Sequence, residues 1–168
     1  DISGQELKHE FARAKNSANG LDGWDIRDLR ILSDTAYDWM ATLLNTIENT
    51  QRWPTDVTHG KAAFLEKEKG SANNPMAFRV LMIFAQLYRR WAALRLFHLQ
   101  PWMDKWRLPE ILAGFDGVGA EDGWYGSAIE NELWWAEGRQ YTGGAGDVHK
   151  CFDQMRRHLL YTLLDLAG

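Results

Sequence analysis

Cysteine is almost missing from this chain of 168 residues: Cys151 stands alone, so an internal disulfide is excluded and a cysteine-built zinc site has too few ligands. Long apolar runs are missing as well. No stretch approaches the ~20 apolar residues of a membrane span, and no charged-then-apolar leader opens the chain. The expectation is an intracellular protein with no membrane partner. An excess of positive charge is also lacking, since the net charge is −4. What is present is 45% hydrophobic residues, enough for a real core in one domain or a small domain plus a piece.

The sum of charges hides an uneven distribution. Between Lys61 and Arg107 there are nine Lys or Arg against Glu66, Glu68 and Asp104, whereas 110–137 holds no Lys or Arg at all. A basic segment inside an acidic chain is either an electrostatic footprint for phosphates or a solvated helix face.

Hydrophobic spacing predicts a mostly helical chain. Leu7, Phe11 and Ala14 fall at helical intervals over 4–16, with Ser3 placed to cap, and Asp25 is placed to cap a short helix through Leu32. Asn19-Gly20 and Asp22-Gly23 predict a turn between them. A long helix is expected over 34–50, with Ala36, Trp39, Met40, Leu43, Leu44 and Ile47 inward, ended by Trp53-Pro54. Residues 61–67 and 77–83 read as two strands joined by a polar loop, a hairpin bearing cations. Further helices are expected over 84–99, 121–138 and 152–167, the last with Met155, Leu159, Leu160, Leu163, Leu164 and Ala167 on an inward face. Nine tryptophans are expected mostly in the core, with base stacking as the alternative use.

The segment AGDVHKCFDQMRRHLL reads as a strand over 140–148, a turn carrying Asp147 and Asp153, then the last helix. On the residues alone, Asp147 is either a helix cap or a metal-binding carboxylate reached through small residues.

Four stretches resemble reverse transcriptases of the group II intron and non-LTR retrotransposon type, in that family's order. Lys15 with GLDGW resembles the K-x-G-x-D-G pattern, and the run from Trp53-Pro54 to Arg79 resembles the fingers hairpin. AGF with Gly117 and Gly119 resembles the segment that opens the palm, and DVHKCFD resembles motif A. The chain departs from the pattern in Glu66 where Pro is usual, Val80 after the Arg, and Leu112 where Gln is usual.

The resemblance implies an α+β, predominantly helical fold, with a fingers-like region over 1–107 carrying the basic hairpin 61–83, and the N-terminal part of a palm over 108–168. It implies an RNA-directed DNA polymerase acting on an RNA template, a DNA primer and dNTPs, with two Mg²⁺ ions stabilising attacking and leaving oxygens. Asp147 is then the catalytic metal ligand. Lys67 and Arg79 hold the triphosphate, with Lys69 a competitor for the first cation, while Val148 and the steric gate Phe152 line the nucleotide. Lys15, Arg89, Arg90 and Arg95 are expected to contact nucleic acid. The family's other carboxylates come from an Asp-Asp hairpin beyond motif A, so the chain by itself is expected to be an inactive fragment that requires the remaining palm and the thumb. Two other classes stay open: a helical nucleic-acid-binding module without catalysis, and a helical protein-interaction domain.

Overall fold

A computed structural model describes residues 1–67, 73–115, 117–140, 142–148 and 154–167. Its architecture is α+β and mostly helical. The chain divides into two compact units, Asp1–Leu108 and Pro109–Gly168.

In the first unit, α1 (Gly4–Arg13) starts in a reciprocal cap: the Ser3 hydroxyl accepts from the Glu6 N–H, and the Glu6 carboxylate accepts from the Ser3 N–H. Asp25 caps α2 (Ile26–Arg30) by accepting from the Arg27 N–H. Ser33 does the same for α3 (Asp34–Thr50), accepting from the Ala36 N–H, and Gln51 closes that helix in the left-handed region. After Trp53-Pro54 come a single turn, α4 (Thr55–Thr58), and two strands, β1 (Lys61–Glu66) and β2 (Phe78–Ile83). Then α5 (Gln86–Trp106) runs for 21 residues, passing through Pro101, where the expected helix stopped at Leu99. Trp102 and Trp106, one turn apart within that extension, meet edge to face at 5.4 Å.

The core lies where α1 packs against α2, α3 and α5, built from Leu7, Phe11, Ile26, Leu29, Tyr37, Ala41, Leu44 and Leu94. The inward face of α3 is therefore rotated from the expected one. Tyr37, Ala41, Leu44 and Ile47 are buried, while Trp39 is 75% exposed and Leu43 is also exposed. The ring of Tyr37 is apolar enough for the core, and its hydroxyl is satisfied by donating to the Leu29 carbonyl at 2.7 Å. Trp53 anchors the chain reversal by meeting Tyr88 at 5.0 Å and Trp91 at 4.7 Å.

The two strands form an antiparallel pair with Leu65 opposite Arg79 and Glu66 opposite Phe78. The Lys67 N–H extends the pairing by donating to the Ala77 carbonyl at 2.8 Å.

In the second unit, the described residues include the helices α6 (Ala120–Ala136) and α7 (Arg157–Ala167). Three expectations are corrected there. Residues 142–148 form irregular chain instead of a strand, because a strand needs a paired neighbour and Gly143, Gly144 and Gly146 raise the entropic cost of extension. The last helix begins at Arg157, and Leu159, Leu160, Leu163 and Leu164 are exposed. Among the described residues of this unit only Phe115 is buried, so these helices have no covering layer within it. The tryptophans follow suit: Trp124, Trp134 and Trp135 here, with Trp24, Trp39 and Trp106 in the first unit, are exposed.

Candidate nucleic-acid interface

Two places gather the cations that the sequence singles out. The first is the hairpin. Successive side chains alternate between the faces of a strand, so Lys67 shares a face with Leu65, and Leu65 faces Arg79. Lys67 and Arg79 are diagonal neighbours on that face, and both are exposed. Lys61 lies on the same side at the far end, and the opposite side carries Phe64, Val80 and Met82. Lys69 lies outside the described residues.

The second place is an open cavity of ≈ 500 Å³ between the C-terminal end of α1, the chain just after it and the first turns of α5. Glu10, Arg13, Lys15, Arg89 and Arg90 line it. Glu10 occupies the same helical stripe as Leu7, Phe11 and Ala14, which leaves it 3% exposed. A buried carboxylate needs cations, and here it has two. Arg13 Nε donates at 2.5 Å and Arg90 Nη1 lies at 3.3 Å. Arg13 also stacks over the Phe97 ring at 5.4 Å.

Arg89 donates to the Ser17 hydroxyl at 3.2 Å and the Ala18 carbonyl at 2.7 Å, which ties the start of α5 to the chain after α1. Burial, and secondly the adjacent Arg90 guanidinium, push the Arg89 pKa below its ordinary value, with Asp22 opposing. Two guanidiniums side by side on a helix draw a counter-charge. The conformation of the chain between Ala14 and Ser17 is fixed from behind by Arg30, whose guanidinium donates to the Phe11 and Ala14 carbonyls and to the Asn16 side chain. Gly20, in the GLDGW stretch, presses on the junction before α5: a Cβ there would lie 2.7 Å from the Ala85 nitrogen and 2.8 Å from the Phe84 carbonyl carbon. That close approach is the local reason the Lys15 segment lies against α5.

The structure thus brings together Lys15, Arg89 and Arg90 from the expected set, and adds Arg13, Glu10 and Phe97. Glu10 carries the signal that sequence reading passed over: a carboxylate on an apolar stripe implies a cationic partner nearby. Arg95 stands apart from the cavity. Its guanidinium pairs with Glu48, which also accepts from Trp91 Nε1 at 2.6 Å, and Arg95 Nη1 lies 2.9 Å from His98 Nδ1. The Arg95 hydrogen bond holds the Glu48 carboxyl below its usual range, with burial opposing and Trp91 assisting. Arg95 binds α5 to α3.

In the second unit, Asp147 and Val148 are exposed on irregular chain, and Phe152 lies outside the described residues. Among the described residues no group of three or more His, Cys, Asp or Glu side chains is placed to hold a metal ion. A magnesium centre needs carboxylates fixed against one another, so Asp147 alone does not compose the two-ion site that the resemblance implies. No helix among the described residues is long and apolar enough to cross a membrane. No protein-family model, curated protein or solved structure matches the chain.

Proposed function

We propose that the chain is a nucleic-acid-handling part of an RNA-directed DNA polymerase of the reverse-transcriptase type, comprising fingers and the start of a palm. The supporting observation is the hairpin register, in which Lys67 and Arg79 share one exposed face at the point in the chain order where the resemblance calls for a triphosphate clamp. Arg offers a planar fork of donors and Lys a mobile point charge, a pair suited to a polyphosphate. In this reading the RNA template and DNA primer run beside the hairpin, and the dNTP sits under it. In the same reading Asp147 is one ligand of a magnesium centre, and Phe152, outside the described residues, is the candidate steric gate.

The test is equilibrium binding of a dNTP, with the nucleoside as control. Affinity should follow the number of phosphates, and Arg79→Gln should weaken triphosphate binding about tenfold, the size of one charge-assisted hydrogen bond, with an unchanged melting temperature. Equal affinities for triphosphate and nucleoside, or no effect of Arg79→Gln, would contradict the clamp.

A second reading is a helical nucleic-acid-binding module without catalysis. It is favoured by the basic cavity beside α1 and α5, which gathers Arg13, Lys15, Arg89 and Arg90.

A further inference from the structure

Among the described residues, the buried side-chain polar atoms without a hydrogen-bond partner are Gln86 Nε2 and Oε1, Arg89 Nε and Arg90 Nε. All belong to the opening turn and a half of α5, at positions i, i+3 and i+4, which share one side of a helix. Gln86 is fully buried. Native proteins rarely leave such groups unpaired, and each calls for an explanation such as a bound water, an ion or a ligand. Of these residues Arg89 and Arg90, and not Gln86, line the ≈ 500 Å³ cavity, where four cations, Arg13, Lys15, Arg89 and Arg90, meet one carboxylate. The local charge is strongly positive in a chain whose net charge is −4. An anion with several acceptor oxygens fits this donor set, and guanidinium forks match phosphate geometry.

A second cavity, of ≈ 330 Å³, adjoins the first. Glu10 and Arg13 line both, and the second is completed by Gln5, Glu6, His9, Leu94, Phe97 and His98. Phe97 is 60% exposed although the Arg13 guanidinium rests over its ring, so an aromatic face and a guanidinium plane stand next to the cationic pocket. Phosphate-binding cations beside a stacking platform are the recurrent composition of single-strand nucleic-acid sites, in which the backbone tracks the charges and an unstacked base lies on the ring. Both volumes fall in or near the ~300–1,000 Å³ range of small-ligand pockets, room for one nucleotide unit and not for a duplex groove.

We infer that the joined cavities between α1 and α5 bind one nucleotide of a single-stranded nucleic acid, its phosphate held by Arg13, Lys15, Arg89 and Arg90 and its base stacked at Phe97. This site is separate from the hairpin and does not depend on the polymerase reading. Glu10 has a second task in it, holding Arg13 and Arg90 in place from below.

Fluorescence anisotropy with a labelled single-stranded RNA of about eight nucleotides, within the range that one such site covers, tests it on the whole chain. Lys15→Gln changes an exposed residue at the cavity edge; it should weaken binding about fivefold and make the log–log salt slope shallower by roughly 0.7, one phosphate contact on a single strand. Phe97→Leu keeps an apolar side chain; it should weaken binding about tenfold and leave the salt slope unchanged, because stacking releases no counterions. Wild-type affinity and slope in Lys15→Gln would overturn the phosphate assignment, and wild-type affinity in Phe97→Leu would overturn the base assignment. Inorganic polyphosphate has phosphates and no bases; binding it as tightly as the RNA would overturn recognition of a nucleotide.

Discussion

Arg30 shows how much one side chain contributes to a site it never lines. It reaches from α2 to the last carbonyls of α1, where the helix leaves acceptors unpaired, and on to Asn16. The segment it fixes carries Lys15, and Arg89 grips the same segment from α5. Arg30→Ala should lower stability by about 2 kcal/mol, since bonds from a charged donor to partly buried carbonyls are lost, and should weaken RNA binding as well. Urea denaturation measures the first effect and anisotropy the second; stability within error of the wild type would mean that the Arg30 bonds are not holding the α1 end. At this scale the sequence was informative for residues that act alone. Ser3 and Asp25 are legible as caps because a capping side chain answers to its own neighbours. Arg30, Glu10 and Arg13 were not, since their partners lie in other elements and nothing in a linear pattern says which carbonyl or guanidinium will arrive. Trp39 misled for a related reason: a large apolar residue suggests the core, yet the stripe that α1 and α2 cover is the one through Tyr37 and Ala41.

Helices and hairpin follow local rules closely in the first unit, where periodicity, caps and turn residues agree. The helix over 34–50 and the hairpin were legible for that reason, whereas α5 runs on through Pro101 to Trp106 although a proline removes a helix hydrogen bond. The segment 142–148 failed as a strand because alternation and small residues describe a strand's surface and not its partner. The caps also set a pH dependence. Asp25 accepts from the Arg27 side chain and backbone, and these bonds lower its pKa from 3.8 to about 2. A depressed folded-state pKa means that the contribution is complete above the ordinary value and disappears as pH falls through about 2. Glu6, held low chiefly by the Ser3 hydroxyl, shifts in the same direction. Asp25→Asn keeps a capping oxygen but removes the charge. The melting-temperature gap between wild type and Asp25→Asn should therefore be present at neutral pH and close as the solution is acidified through that window. A gap independent of pH would show that the Arg27 pairing adds nothing to the cap.

For the whole molecule, the uneven charge of the sequence becomes geometry only in part. The basic stretch 61–107 divides between the hairpin face, the cavity beside α1 and the Arg95–Glu48 pair inside the first unit, so Arg79, Arg89, Arg90 and Arg95 serve three different ends. Which cations would meet was not legible, because Lys15 and Arg89 are joined through Gly20, a close approach between segments far apart in the chain. In the proposed site the first unit grips single-stranded nucleic acid between α1 and α5. Ultraviolet crosslinking of a single-stranded RNA carrying 4-thiouridine, followed by peptide mass spectrometry, tests it most directly. The account predicts crosslinks in 9–18 and 86–98, centred on Phe97 and reduced in Lys15→Gln. Crosslinks absent from both segments, with RNA attached elsewhere on the chain, would contradict it.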